Sequence, residues 1–286
     1  MNRQQGFSML ELMVAMALGL LISAAAIQLF LANQVSLNFQ RGMNDVQANG
    51  RFAIDQVVHD VRLAGLGATA TSAPVASIVF VAADLPGLDS ASTAVTSDAN
   101  ALAGLLSDSD QLVLQYFAMV DSIDCEGNTV AAGRYVVARY FIRLDENNVS
   151  ALACDGSSHD GAALETASGK GYGDDGVILL SGVDSFQVQY GVDDKAVDGA
   201  TNGVARIARY VDATTFKTYA PAPTVLAVRL GVYAHSAEAA GDVQRPANDI
   251  QVLDVLIDKD DVPSDRFMRR LFISTISLRN IDLKGV

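Results

Sequence analysis

The chain contains no tryptophan, and its other aromatic residues are few and are not interleaved with basic ones. Its 20 lysines and arginines form no cluster and are outnumbered by 33 acidic residues, which gives a formal net charge of −13. A protein that binds nucleic acid needs a basic surface and aromatic side chains on which bases stack. The composition therefore argues against a nucleic-acid partner and suits the surface of an exported soluble domain.

Sequence signatures of enzymes and metal proteins are also missing. The three histidines, His59, His159 and His235, have no metal-type spacing with cysteine, and no Gly-x-Ser-x-Gly stretch occurs. The run from Ser157 to Asp160 holds the residue types of a catalytic triad, but triads assemble from separate positions of a scaffold. Acidic stretches at 174–175, 193–194 and 258–261 lack the EF-hand spacing, so we interpret them as solvated turns rather than Ca²⁺ sites. We predict no enzyme activity, no cofactor and no metal site.

One long apolar run stands near the start of the chain. Leu12 to Ala32 is 21 residues without a charge, and about 20 apolar residues suffice for one transmembrane helix. The run is too long for the apolar core of a cleaved secretory signal, which spans about 7–15 residues. A plain signal anchor would share the run, but it would not explain Gly6-Phe7 or the carboxylate of Glu11 directly before the span. An ionisable residue directly beside a membrane span is expected to have a function.

The leader itself resembles the class III signal of type IV prepilins and pseudopilins. Its polar residues, Met1 to Gln5, end in Gly6, and Glu11 is the fifth residue counted from Phe7. The resemblance implies cleavage between Gly6 and Phe7 by a prepilin peptidase on the cytoplasmic face, then N-methylation of Phe7. It also implies that the Glu11 carboxylate meets the Phe7 ammonium of a neighbouring subunit in a filament core. The physics agrees, because an unpaired carboxylate is costly in a low-dielectric bundle and an ammonium at contact distance offsets much of that cost.

The helix is predicted to continue beyond the membrane. Apolar or small residues recur at steps of three and four, which is typical of an amphipathic helix that packs one stripe on a sheet; they are Val46, Gly50, Ala53 or Ile54, Val57 and Val61. Polar residues that include Asp60 are assigned to the other faces, and His59 is expected at a solvated or a sheet-facing position of this helix. Gly42 and Gly50 predict bends. We expect one helix over 7–64, ended by the turn at 64–67.

Strand patterns dominate the rest of the chain. The expected strands are 77–81, 111–117, 134–144, 149–153, 177–180, 183–190, 224–234 and 268–278, with a brief helix at 99–106. The segments 155–161 and 193–222 are expected to be irregular, and His235 to end a strand. Strands after one long helix predict an α+β fold in which that helix packs on an antiparallel β-sheet head. The expected domains are a leader at 1–6, a helix at 7–64 with its span at about 12–32, and a β-rich head at 65–286.

The chain has only two cysteines, Cys125 and Cys154. An even, low count after a membrane-exporting segment is typical of one disulfide in an oxidising compartment, and two buried thiols are the alternative. The closed loop of about 30 residues corresponds to about 3 kcal/mol in the chain-entropy model. We predict the disulfide, joining the loop before the strand at 134–144 to the end of the strand at 149–153.

Three further stretches are similar to minor pilins of the PilW family: 49–53 leading to 61–65, 182–191, and 269–280. Many relatives carry a cysteine shortly after the Ala-Gly pair, where this chain has Gly67-Ala68-Thr69-Ala70, so the family's disulfide pattern does not transfer. The resemblance implies a structural minor pilin that co-assembles with other minor pilins to prime or cap type IV pili, supporting pilus biogenesis, twitching motility and adhesion. Implied partners are other minor pilins, the major pilin, the prepilin peptidase and the inner-membrane assembly platform.

Three alternatives stay open from the sequence. A J-like pseudopilin of a type II secretion system would share the leader, the helix and an acidic head. A membrane-anchored adhesive module that never polymerises would tolerate loss of Glu11. A periplasmic hydrolase would need a pocket around His159. For the minor pilin, the expected location is the inner membrane, with a single span and a periplasmic head, and then the pilus or cell surface after assembly.

Overall fold

In the computed structural model, one 55-residue helix, α1 (Met9–Leu63), forms the axis of the molecule. The structure describes residues 8–67, 76–100, 108–165, 171–193, 206–240, 243 and 245–280. Ser8 caps α1, because its hydroxyl oxygen accepts a hydrogen bond from the Glu11 amide at 3.2 Å. The helix stops where Gly65 turns the chain with a φ of 77°, a conformation that suits a residue without Cβ.

Among the residues that the structure describes, fourteen further elements follow α1 in chain order, apart from a one-turn 3-10 helix at Ala82–Asp84. They are β1 (Ser97–Asn100), β2 (Ser109–Phe117), β3 (Ser122–Ile123), β4 (Thr129–Val130), β5 (Tyr135–Leu144), β6 (Ser150–His159), β7 (Val177–Ser181), β8 (Val183–Asp193), β9 (Ile207–Val211), α2 (Ala213–Lys217), β10 (Val225–Ala239), β11 (Ile250–Val252), β12 (Val255–Ile257) and β13 (Phe267–Ser277).

The strands form two main antiparallel sheets. The first has the order β1-β2-β5-β6-β7 and the second the order β13-β10-β8-β9, with two small hairpins, β3-β4 and β11-β12, beside them. The second half of α1 packs on β10 and β13, and its apolar stripe joins residues of both sheets in one core. The predicted fold class, a long helix on an antiparallel β head, is therefore confirmed.

Two glycines on α1, at which bends were predicted, lie in close contact with the second sheet. A Cβ on Gly50 would overlap the ring of Phe272, and a Cβ on Gly42 would overlap the Cβ of Ala240. Both residues lie in an unbroken helix. The absence of a side chain at these two positions is what lets β13 and the end of β10 approach the helix.

Several boundaries predicted from the sequence are wrong. Segment 155–161 is not an irregular loop, because β6 continues through it to His159 in register with β5. Within 193–222 the structure contains β9 and α2, and His235 lies inside β10 rather than at its end. The stretch 77–81 is not assigned as a strand; it makes an isolated bridge at Ile78 and backbone hydrogen bonds through Ser77 and Val79. At 99–106 the described residues belong to β1, and the others lie outside the described part of the chain.

Candidate functional site

The first half of α1 is bare. Every described side chain from Ser8 to Arg41 is exposed, and Gly42 is the first buried residue. The helix includes an 18-residue window with a mean hydropathy of 2.3, none of it buried, so by length and composition it can cross a membrane. Leu12 to Ala32 rises about 31 Å at 1.5 Å per residue, which matches a hydrocarbon core of about 30 Å.

Glu11 lies in the first turn of this helix, before the apolar span. A carboxylate is favoured there, because the unpaired amides of a helix N-terminus carry partial positive charge. No other charged residue occurs between Ser8 and Arg41. Gly6 and Phe7, the predicted cleavage and methylation positions, lie outside the described residues.

The second half of α1 carries a buried carboxylate that sequence reasoning assigned to an exposed face. Asp60 is only 4% exposed, and the hydroxyl of Tyr140 on β5 donates to its Oδ2 at 2.7 Å. Burial raises the pKa of Asp60, while the Tyr140 hydrogen bond opposes that rise. The helical spacing alone could have placed Asp60 on the buried stripe, because it follows Val57 by three residues and precedes Ala64 by four.

The two cysteines are bonded next to this contact. Cys125, in the turn between β3 and β4, is joined to Cys154 on β6, with 6.1 Å between their Cα atoms. Cys154 is directly opposite Tyr140 in the β5–β6 register, and so it lies in mid-strand rather than at the strand end that was expected. The disulfide thus fastens the β3-β4 hairpin to the strand pair that contacts the helix.

A buried ionic network ties the start of β8 to the neighbouring strands. Asp184 accepts hydrogen bonds from Arg269 Nε at 3.0 Å and from Ser150 Oγ at 2.9 Å, and it contacts His235 Nδ1 at 3.0 Å. The Arg269 guanidinium also binds Asp265 through both of its terminal nitrogens. Burial alone would raise the pKa of Asp265, but the hydrogen bonds from Arg269 and from the Phe267 amide, together with the charge of Arg269, lower that pKa. The network explains why His235 is buried.

The triad-like run does not form a triad. Ser157 Oγ donates to the Glu165 carbonyl and Ser158 Oγ to the Glu165 carboxylate. His159 Nδ1 accepts from the Gly161 amide, so Nε2 carries the proton towards Gln115 Oε1 at 2.9 Å. Burial lowers the pKa of His159 to about 4, which keeps the ring neutral. The hydrogen bonds of these side chains therefore stabilise β6, the strand on which they lie.

Among the predicted acidic turns, one side chain joins a cluster. Carboxylate oxygens of Glu126, Asp155 and Asp174 all lie within 4.8 Å of one another. The Arg139 guanidinium contacts Asp155 Oδ2 at 2.9 Å and also donates to the Asp174 carbonyl. Its positive charge compensates part of the cluster. Asp194, in the predicted turn at 193–194, lies outside the described residues. In the turn at 258–261 the Asp260 amide donates to Asp258 Oδ1.

Residues 1–27 match the prokaryotic N-terminal methylation motif. Together with the bare apolar helix and the antiparallel head, this match defines the class, a membrane-anchored type IV pilin-like protein. Residues 139–280 match PilW, described as type IV pilus-assembly protein W. The head of this chain is therefore similar to the PilW family, as predicted.

A type IV-like pilin, TTHA1219 from Thermus thermophilus, is 14% identical, covers 60% of this chain and 78% of its own, and superposes with a TM-score of 0.29. That score is too low to support an argument about the fold. No curated protein matches the chain.

Proposed function

We propose that this protein is a minor pilin that co-assembles with other minor pilins to prime or cap a type IV pilus. The observation that carries the proposal is Glu11, a lone carboxylate at the start of an exposed apolar helix. A helix that served only as an anchor would gain from this charge no more than the favourable position of a carboxylate at its own N-terminus. A helix that later enters a bundle of like helices needs a polar contact to fix its axial position.

The cost of the charge differs between the two environments. In a bilayer, Glu11 lies close enough to the N-terminal end of the span to reach the interface and stay hydrated. In a filament core that route is closed, so the carboxylate must pair or take up a proton. The ammonium of a neighbour's Phe7, freed when the leader at 1–6 is removed, is the proposed partner. The head at 65–286 would face the periplasm before assembly and the cell surface afterwards.

The test is a set of variants at position 11, measured by immunoblotting of membranes and of sheared pili. Glu11→Gln and Glu11→Val should reach the membrane in normal amounts and be lost from pili, because neither can pair with an ammonium. Glu11→Asp should be intermediate, because its carboxylate reaches less far by one methylene. Incorporation of Glu11→Val at the wild-type level would contradict the pairing mechanism.

The mass of the protein recovered from membranes supplies an independent check. The chain should begin at Phe7 and carry one added methyl group on its amine. A chain that still begins at Met1 in a strain with an active prepilin peptidase would refute processing and, with it, the source of the ammonium.

A further inference from the structure

The second sheet ends in β13, a long edge strand that pairs with β10 on one side and has no neighbouring strand on its outer side among the described residues. It spans 11 residues, whereas β1 has four residues, and β7 and β9, the other edge strands of the two main sheets, have five each. Native proteins usually keep edge strands short or interrupt them, because their free amides and carbonyls pair readily with another chain. β13 has no proline or glycine, and its register with β10 is continuous from Arg269 to Ser277.

The direction of its free backbone groups follows from the register. The Leu278 amide donates to the Leu226 carbonyl of the β10 segment at 2.9 Å. In an antiparallel ladder the groups of alternate residues then point towards β10, so those of Leu271, Ile273 and Thr275 point away from it. Within the described part of the chain, no backbone hydrogen bond from these three residues to an element other than β10 is found.

Side chains beside this edge are apolar in its middle and basic at its ends. Ile273 is 54% exposed. Residues 266–279 contain four arginines and no acidic residue, in a chain whose formal net charge is −13. Arg269 forms ion pairs with Asp184 and Asp265. The other three arginines, Arg266, Arg270 and Arg279, are exposed. The edge therefore combines free hydrogen-bonding groups with positive charge.

We propose that the outer edge of β13 docks an extended, acidic segment of a neighbouring subunit by adding it as a fifth strand to the second sheet. Main-chain hydrogen bonds would supply affinity, and the three arginines would select for acidic side chains. The proposal rests on the proposed function only in taking the neighbour from a pilus assembly. The edge, its length and its charge are properties of this chain.

The test uses the full chain in membranes that also contain the other pilus subunits. A photo-crosslinking residue replaces Ile273, and the adduct is mapped by mass spectrometry to a segment of the captured subunit. Thr275→Pro removes an outward amide and leaves the β10 ladder intact, as edge positions allow, whereas Thr275→Val keeps the amide and the branched side chain. Arg270→Glu reverses a charge, and Arg270→Lys retains it.

We expect an adduct to an extended acidic segment, with a yield reduced about tenfold by Thr275→Pro and unchanged by Thr275→Val. Arg270→Glu should also reduce it, and Arg270→Lys should not. No adduct, an adduct to a helical or basic segment, or equal yields from both members of each pair would overturn the proposal. If Thr275→Pro shifts the urea midpoint of the head, the Arg270 pair decides. Because the adduct is measured in membranes, loss of the protein from sheared pili would count against the proposed function and not against this edge.

Discussion

Replacing Gly50 by alanine tests the idea that glycine seats α1 on the sheet. In an exposed helix this change would stabilise the protein by about 0.5–1 kcal/mol, because alanine loses less backbone entropy on folding. Here the new methyl group would overlap the ring of Phe272. Inserting a carbon into a packed contact typically costs about 1–3 kcal/mol. The steric cost exceeds the helix gain, and we expect a net loss of about 0.5–2 kcal/mol.

Urea unfolding of the detergent-solubilised full chain measures this loss for Gly50→Ala, Phe272→Leu and the double variant. Leucine removes part of the ring, so in that background Gly50→Ala should be neutral or stabilising. The difference between the effects of Gly50→Ala in the two backgrounds should reach about 1–2 kcal/mol, as expected for residues in contact. Gly19→Ala is the matched control, since no heavy atom lies within 4 Å of its added Cβ. Stabilisation by Gly50→Ala in the wild-type background would refute the packing argument.

Three further predictions concern the head. Asp60→Asn should keep the Tyr140 contact and be as stable as wild type or more so at pH 7, whereas Asp60→Ala should lose about 1–3 kcal/mol by urea titration. Since burial raises the pKa of Asp60, wild-type stability should fall as pH rises from about 3.8 through the folded pKa, and Asp60→Asn should lack this fall. A steeper fall in Asp60→Asn would be inconsistent with the assignment. Replacing both Cys125 and Cys154 by serine should lower stability by about 3 kcal/mol, and alkylation without reduction should label neither cysteine in the exported wild-type protein. Burial lowers the pKa of His159 to about 4, so the contribution of the neutral ring to folding stability should be lost as pH falls from about 6.5 to 4. A His159 ring that titrates at about 6.5 in NMR spectra would contradict its burial.

The periodic spacing of apolar residues predicted α1 and the central strands well, because the buried face of a helix repeats every 3.6 residues and that of a strand every two. It failed at Asp155 to His159, where Gly156 and the polar residue types suggested a loop. Those polar groups are satisfied by partners elsewhere in the chain, Asp155 by Arg139 and His159 by Gln115. No local pattern records such a partner.

The same limit applies to the site. The leader motif and Glu11 can be identified from a short stretch, because the chemistry they imply depends on adjacent residues. Asp60 was assigned to solvent by residue type, although its spacing placed it on the buried stripe. Its partner Tyr140 is 80 positions away. The open edge of β13 could not be predicted at all, because an edge is defined by which strand is absent beside it.

The packing of α1 on β10 and β13 has a consequence for the order in which the protein folds. Val46 and Val57 lie near the start of the chain, yet the strands that cover this part of the helix come from residues 225–239 and 267–277. Contacts between such distant segments form late and slowly. Until the last strand is in place, the part of the helix stripe that it covers therefore faces water or a temporary partner, and a chain truncated before Phe267 would leave that part uncovered and prone to aggregation.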